Sequence, residues 1–407
     1  MTMTTNGPAA VDCLNLLAPD FRVDSPAVRA AAARHWYAST SLGPAVLRYA
    51  DCMALLRDRR FRQAGMDHLS AQGISDGPLA DMWRAFVLNV EGADHTRLRR
   101  LVSSATSEVV EGLRLRMRSL VHQLVDVVAP LGTCEFMTAF ADRYPPRVMF
   151  DLLGIPEADQ DLFLQWAKDL AVIISFSVAE HRESIEAALA DLYEVTDRLC
   201  TERRRHPGED LLSGLVAAAH GDDRLTTQEL RSMVAGMVIA GQDSTRNQLG
   251  MALWTFARHP EQWTLLARRP DLAERAVDEV MRVSPTVPIV WRVATDDVTY
   301  RDLAIPGGTR LWLMVGAAQR EAATFGQYGF DIRPDRPAQL SFGHGTHYCL
   351  GASLARAEMA EALPILANRL PGLELAGEPA FRPELSGFVG PELLPIRWDA
   401  ANCCYPA

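Results

Sequence analysis

The sequence predicts a mainly α-helical protein with a small β portion. Apolar residues recur at helical spacing over most of the stretch from Asp24 to His259. Alternation typical of strands begins only after Ser284-Pro285, and helix starts and stops are marked explicitly.

Within the helical part, Gly154-Ile155-Pro156 and His206-Pro207-Gly208 are turn signals. A capping box, Thr226-x-x-Glu229, opens a long helix predicted to run to His259, just before Pro260. Its interior holds Gly236, Gly241 and Gly250, each costing about 1 kcal/mol against alanine. Such a helix is expected to let a ligand or cofactor approach its backbone. A second helix is predicted from Pro270 to about Val283, stopping at Ser284-Pro285. Residues 287–294 and 298–300 read as strands, while 304–305 and 310–315 flank Pro306-Gly307-Gly308 as a hairpin. An irregular stretch over 319–337 follows, then a cysteine-bearing loop, a helix over 352–368 and a short terminal β portion. No internal repeat or low-complexity tract interrupts this order.

The 407 residues contain no Gly/Ser-rich or Pro-rich linker, so one domain over 1–407 is expected. Small β subregions are expected near the N-terminus and at about 286–318 and 380–399. No window is apolar enough for a membrane span, and Met1-Thr2-Met3-Thr4-Thr5-Asn6-Gly7 lacks a signal-peptide core. A soluble, cytoplasmic protein is expected. Seven cysteines (13, 52, 134, 200, 349, 403 and 404) show no framework spacing, which suits a reducing compartment. Cys403-Cys404 reads as incidental. The net charge of −10 argues against nucleic acid as a partner. Arg97, Arg99, Arg100, Arg114, Arg116 and Arg118 form a local basic cluster, which as a bare pattern reads as a solvated helix face.

The most informative segment is Phe342-Gly343-His344-Gly345-Thr346-His347-Tyr348-Cys349-Leu350-Gly351. It sets one cysteine among glycines at the start of a helix, where backbone N–H groups and the helix dipole favour a thiolate. Phe342 is placed to shield the sulfur, and His347 is a donor two positions upstream. An inert buried cysteine is the commonest alternative. Zinc on His344, His347 and Cys349 lacks a second ligand pair, and a phosphate loop would need a lysine that is absent. The pattern points to a cysteine ligated to haem iron.

Further constellations carry little singly. Ala240-Gly241-Gln242-Asp243-Ser244-Thr245 sets a carboxylate beside a hydroxyl in the long helix, as proton delivery requires. A solvated aspartate and a back-bonded serine are the bland alternative. Glu279 and Arg282 stand three apart on a helix face and can pair, with Arg333 as the candidate third partner. His95 and Arg99, four apart, can point donors at a carboxylate, joined by Arg292.

Together these motifs resemble the bacterial soluble cytochrome P-450 family of haem-thiolate monooxygenases, over nearly the whole chain. The cysteine segment fits the family signature F-x-x-G-x-H-x-C-x-G. Glu279-Val280-Met281-Arg282 fits its E-x-x-R element, Ala240 to Thr245 its oxygen-activating helix, and His95-Thr96-Arg97-Leu98-Arg99 its propionate-binding helix. The resemblance implies the family fold, with haem between a long distal helix and the cysteine loop with its helix. It implies haem b with Cys349 as axial thiolate, in a cofactor site that includes Phe342, Gly343, Gly351, Ala240 and Gly241. It also implies propionate contacts from His95, Arg99, Arg292 and His347, and a distal group of Asp243, Ser244 and Thr245 with Asp243-Ser244 as acid–alcohol pair. Two departures stand out. Ser244 replaces the usual threonine, and Gln319-Arg320-Glu321-Ala322 stands where Asn-Arg-Asp-Pro is common, with one residue fewer around Gln327-Tyr328-Gly329.

By the same resemblance, the substrate pocket draws on Trp83, Phe86, Val87, Met237, Val238, Val287, Ile289, Val290 and Phe388, with Gln63, Ala85 and Ser284 as polar or small contacts. These suggest an apolar or aromatic substrate. Residues 242–249 are similar to those of actinobacterial natural-product tailoring enzymes, including ones that couple tryptophan-containing diketopiperazines. Oxidative C–C or C–N coupling is thus one expected reaction, with hydroxylation or epoxidation of a polyketide, terpene or other scaffold as the second. A non-catalytic haem sensor is the alternative of another class. With no flavin or iron–sulfur segment, the resemblance implies O2 and electrons from NAD(P)H through an external ferredoxin and ferredoxin reductase. Arg97 to Arg118 and Arg356 are the expected docking charges, on a monomer.

Overall fold

Thr226 opens the central helices as its capping box predicts. Its hydroxyl accepts from the Glu229 amide at 3.1 Å, and the Glu229 carboxylate accepts from the Thr226 amide at 2.7 Å, satisfying two donors that a helix end leaves bare. The expected single helix is in fact two, Thr227–Gly241 and Asp243–Ala257, separated at Gln242. Gln242 stays near helical torsions (φ −98°, ψ −58°), so the interruption is local. Beside it, the Ser244 hydroxyl donates to the Ala240 carbonyl at 2.7 Å, competing with the amide ladder as serine does inside helices.

This computed structural model describes residues 11–219, 225–326, 329–383 and 387–402, without the side chains at 104, 105, 107, 108 and 402. The expectations for residues 1–7, for Cys403-Cys404 and for Gln327-Tyr328 lie outside the described residues.

The three central glycines are filled by protein. A Cβ on Gly236 would lie 2.0 Å from Phe86 Cε2, one on Gly241 2.1 Å from Met149 Cε, and one on Gly250 2.6 Å from Pro391 Cγ. On the side where a Gly241 side chain would project, the close approach is made by Met149. The missing side chains let other parts of the chain key into the central helices.

The Gly92–Val128 helix packs along the Ala352–Arg369 helix that follows the cysteine loop. Val102, Met117, Leu120 and Val121 from the first are buried with Leu354, Ala357, Leu363 and Leu366 from the second. Each of the Val, Leu and Met side chains contributes roughly 1.5–3 kcal/mol. The element expected from Pro270 is a 3-10 turn, Pro270–Leu272, continued by the Ala273–Val283 helix.

A five-stranded sheet runs in the order Tyr37–Ala38, Ala45–Val46, Arg310–Leu313, Val290–Ala294, Phe61–Arg62. Its pairing corrects the predicted hairpin. Arg310–Leu313 pairs antiparallel with Val290–Ala294, setting Arg292 opposite Leu311, while Leu303–Ile305 pairs back onto Val298–Tyr300. The turn at Pro306-Gly307-Gly308 thus connects two different sheets. Smaller sheets join Thr133–Glu135, Pro395–Arg397 and Glu374–Leu375, and Ala380–Phe381 with Pro391–Leu393. Among the described residues, no helix is long and apolar enough to cross a membrane.

Candidate active site

The cysteine loop is built by glycines that have to be glycine. Gly343 and Gly345 take φ values of +70° and +74°, and a Cβ on Gly345 would lie 2.8 Å from the Leu56 carbonyl oxygen. Both conditions exclude larger residues. The loop closes through the Cys349 amide, which donates to Phe342 O at 2.8 Å, and the Ala352 amide then donates to Cys349 O at 3.3 Å. Gly351 caps the Ala352–Arg369 helix. Phe342 is buried beneath the Arg356 guanidinium, whose carbon lies 5.2 Å from the ring centroid. Cys349 is accessible although protein surrounds it densely, so it lines a recess within the fold. Burial pushes its thiol pKa up, and the Gly351 N–H and the Arg99 charge offset this only in part. The expected preference for a thiolate is therefore not met by the loop alone; a bound cation would complete it, since a coordinating thiol is deprotonated outright. No group of three or more His, Cys, Asp or Glu among the described residues could hold a metal ion, which removes the zinc alternative there.

Cationic and imidazole groups gather near this loop. His95 is buried, and its ring lies against His347 with centroids 4.2 Å apart and planes inclined at 41°. Burial, then His347 and Arg99, hold the His95 pKa down to about 4. His347 Nε2 donates to Glu91 Oε2 at 2.9 Å. Arg292 is only 2% exposed, and its Nη1 donates to Gln63 Oε1 at 2.9 Å and to Trp291 O at 3.0 Å. Burial lowers its pKa to about 10, opposed by Glu91. Neither Arg99 nor Arg292 has a carboxylate salt-bridge partner among the described residues. A buried guanidinium such as Arg292 is costly without a counter-anion, and with the half-buried Arg99 beside the loop the two suit a ligand carrying two carboxylates.

On the central helices, Asp243 and Ser244 do not bond to each other. Asp243 Oδ2 accepts from Arg382 Nη1 at 2.6 Å, and Oδ1 accepts from Asn247 Nδ2 at 3.1 Å. The Ser244 hydroxyl is committed to Ala240 O, so the bland reading of that serine is the observed one. Ala240 is exposed although Val238 and Ile239 beside it are buried, so this face also opens on a recess. Thr245, expected with the distal group, is buried and faces the Glu358 carboxyl of the Ala352–Arg369 helix. That carboxyl is fully buried, its oxygens otherwise unpartnered, and burial raises its pKa to about 8.

Glu279 and Arg282 form the predicted pair in the interior, with two contacts of 2.7 Å. The third member is Arg336, whose Nε lies 3.1 Å from Glu279 Oε2, and not Arg333, which pairs with Asp331 at the surface. Gln319 serves the same region despite its departure from the common residue. Its carbonyl accepts from Arg282 at 2.9 Å, and its amide donates to Ser341 Oγ at 3.1 Å.

Several expected pocket residues have other employment. Gln63 belongs to the cationic group. Ser284 accepts from Thr255 Oγ1 at 2.8 Å within the interior, Val238 is core, and Ile289 packs on the cluster around Trp312. Trp83 donates to Gly65 O at 3.0 Å and packs against Phe86, which fills the space at Gly236. Val87 is buried, whereas Met237, Val287, Val290, Phe388 and Ala85 remain partly accessible. In the basic cluster, Arg97 pairs with Glu229, Arg114 and Arg118 with Glu361, and Arg116 with Asp151. Arg99 points toward Cys349 and does not belong to that surface.

The family described as cytochrome P-450 matches residues 86–369. The chain belongs to the cytochrome P-450 family. It is 37% identical over 394 residues to luteothin monooxygenase of Streptomyces thioluteus, covering 95% of this chain and 96% of that one. It is also 37% identical over 364 residues to mycinamicin IV hydroxylase/epoxidase of Micromonospora griseorubida, covering 87% and 89%. The structure of a cytochrome P-450 from Chondromyces apiculatus superposes with a TM-score of 0.86 at 27% identity, covering 97% of this chain and 100% of that one. This cytochrome P-450 is thus an oxidoreductase, which retires the sensor alternative. The family implies a haem-thiolate centre, and the residues present fit one: an accessible thiol in a recess, with two arginines free of carboxylates nearby.

Proposed function

We propose that this cytochrome P-450 is a monooxygenase that inserts oxygen into an apolar natural-product scaffold, the whole chain acting as one catalytic unit. The observation that carries the reading is the pairing of the Cys349 recess with Arg99 and Arg292, two cations without carboxylate partners. Cys349 would be the axial ligand. Arg99, Arg292, His95 and His347 would hold the two haem carboxylates. When bound, the haem supplies O2 chemistry, and a cysteine thiolate ligand favours O–O cleavage. Asp243 and Ser244 would hold and pass protons on the opposite side, Asp243 being fixed by Arg382 and Asn247. The partly accessible Met237, Val287, Val290 and Phe388 would contact substrate.

The two named relatives are a monooxygenase and a hydroxylase/epoxidase, and their names support oxygen insertion. They lend no support to diketopiperazine coupling, which rests on the wording of residues 242–249 alone. Screening scaffolds by the spectral shift on substrate binding, then weighing products, tests the reading. A gain of one oxygen supports it; loss of two hydrogens on dimer formation would replace it with coupling.

Electrons would come from NAD(P)H through a ferredoxin and its reductase. Arg116, half exposed, and Arg356, paired with Asp278 at 2.5 Å, are the docking charges to test. Charge reversal at either should slow reduction without altering substrate binding, and unchanged reduction rates would remove this docking surface.

A further inference from the structure

Glu91 stands immediately before the Gly92–Val128 helix, at its N-cap, yet its side chain makes no capping bond there. The side chains that cap well at this position are the short ones of Ser, Thr, Asp and Asn, so the longer glutamate is free to reach elsewhere. Here Oε1 accepts from the Gln63 backbone N–H at 2.9 Å and Oε2 accepts from His347 Nε2 at 2.9 Å. Gln63, through its side-chain oxygen, accepts from Arg292 at 2.9 Å. The His347 ring packs, tilted, against that of His95, one helical turn into the helix that Glu91 precedes.

One carboxylate thus ties together the segment after the Phe61–Arg62 strand and the cysteine loop, and through Gln63 the strand of Arg292. These are the segments that bear the carboxylate-seeking groups, and they are far apart in sequence. A ligand with two carboxylates could not by itself fix their spacing before it binds. Glu91 does so from within the protein. Its charge also balances part of a region where Arg99 and Arg292 have no carboxylate partner among the described residues.

We propose that Glu91 is a positioning residue of the propionate cradle: it holds His347 against the Gln63–Arg292 wall and adds one negative charge to that wall. The proposal rests on the haem-thiolate reading above. It separates into a tether and a charge, and two substitutions distinguish them. Glu91→Gln loses the charge but can keep both contacts, its oxygen accepting from the Gln63 backbone amide and its NH2 donating to Nε2 of His347 in the other neutral tautomer, whereas Glu91→Ala loses tether and charge alike.

The measurements are haem transfer from the purified holoprotein to excess apomyoglobin, followed by absorbance, and the midpoint potential by spectroelectrochemistry. Far-UV circular dichroism checks folding. Haem loss should quicken on the order of tenfold in Glu91→Ala, the lower range for losing an outer-shell partner, and stay within about twofold of wild type in Glu91→Gln. The midpoint potential should move positive in both variants, because removing a negative charge favours adding an electron nearby. Wild-type haem loss in a folded Glu91→Ala protein, or unmoved potentials in both variants, would overturn the proposal. Failure of the haem-thiolate reading looks different: the wild-type protein itself would then lack a thiolate-type carbonyl spectrum.

Discussion

Arg382 donates from Nη1 to Asp243 Oδ2 at 2.6 Å, so the acid of the proposed acid–alcohol pair is held by a residue 139 positions away. Arg382 lies beside the Ala380–Phe381 strand and its backbone amide donates to Gly390 O at 3.0 Å. The acid's orientation therefore depends on a small sheet outside the central helices. Replacing Arg382 with alanine should lower kcat about tenfold, a fraction of what a positioned acid–base group contributes. Substrate-induced spectral shifts should stay as in wild type. Product yield per electron consumed, which should fall with a rise in released peroxide, checks this. The pair is partly exposed, so stability should change by no more than about 1 kcal/mol.

Arg336 and Arg333 should behave oppositely on substitution by alanine. Arg336 faces buried Glu279, whereas Arg333 pairs with Asp331 with two-thirds of its side chain exposed. Arg336→Ala removes one partner of a buried carboxylate and should cost about 1–3 kcal/mol. Arg333→Ala should stay within about 0.5 kcal/mol of wild type. Urea denaturation of the two variants measures the difference.

Stability should decline as pH rises toward 8, and Glu358 is the cause. Burial raises its pKa from 4.5 to about 8, so the folded protein binds this proton more tightly than the unfolded chain. The contribution is full below the unfolded value and is lost as pH rises through the folded one. Its slope is at most about 1.4 kcal/mol per pH unit in that window. Glu358→Gln should flatten this part of the curve, as read by denaturation at pH 5 to 9, because an amide does not titrate.

Cys349→Ala should abolish the thiolate-type carbonyl spectrum while leaving the fold intact. The loop is closed by the Cys349 backbone amide to Phe342 O and by Gly343 and Gly345, none of which needs the sulfur. Circular dichroism and the carbonyl spectrum of the reduced protein test both halves. A variant retaining that spectrum would overturn the assignment of Cys349.

What the sequence made legible, and what it did not, follows from physical range. The cysteine loop could be read because its backbone demands glycine at two positions, and that demand is written locally. The capping box at Thr226 and Glu229 was legible for the same reason. Arg336 was not, because it lies only three positions beyond Arg333 in an irregular stretch, and no period there says which one turns inward. The break at Gln242 was not legible because Gly241 weakens a helix without ending it, as Gly236 and Gly250 do within theirs. Glu91 left no trace, because its partners lie 28 residues before it and 256 after it. The pocket residues are the hardest to read from sequence. Gln63 and Ser284 are polar near a predicted apolar site, and only tertiary contacts reveal that both are already bonded elsewhere.

Phe86 seated on Gly236 has an evolutionary corollary. Any side chain at 236 meets the ring, so a replacement there is costly unless Phe86 moves. A smaller residue at 86 would lift the restriction, and the two positions would then accept replacements only in that order, a coupling expected of residues in contact. Lineages that diversify this wall should therefore record the exchange at 86 as the earlier event, and libraries that randomise 236 alone should return glycine.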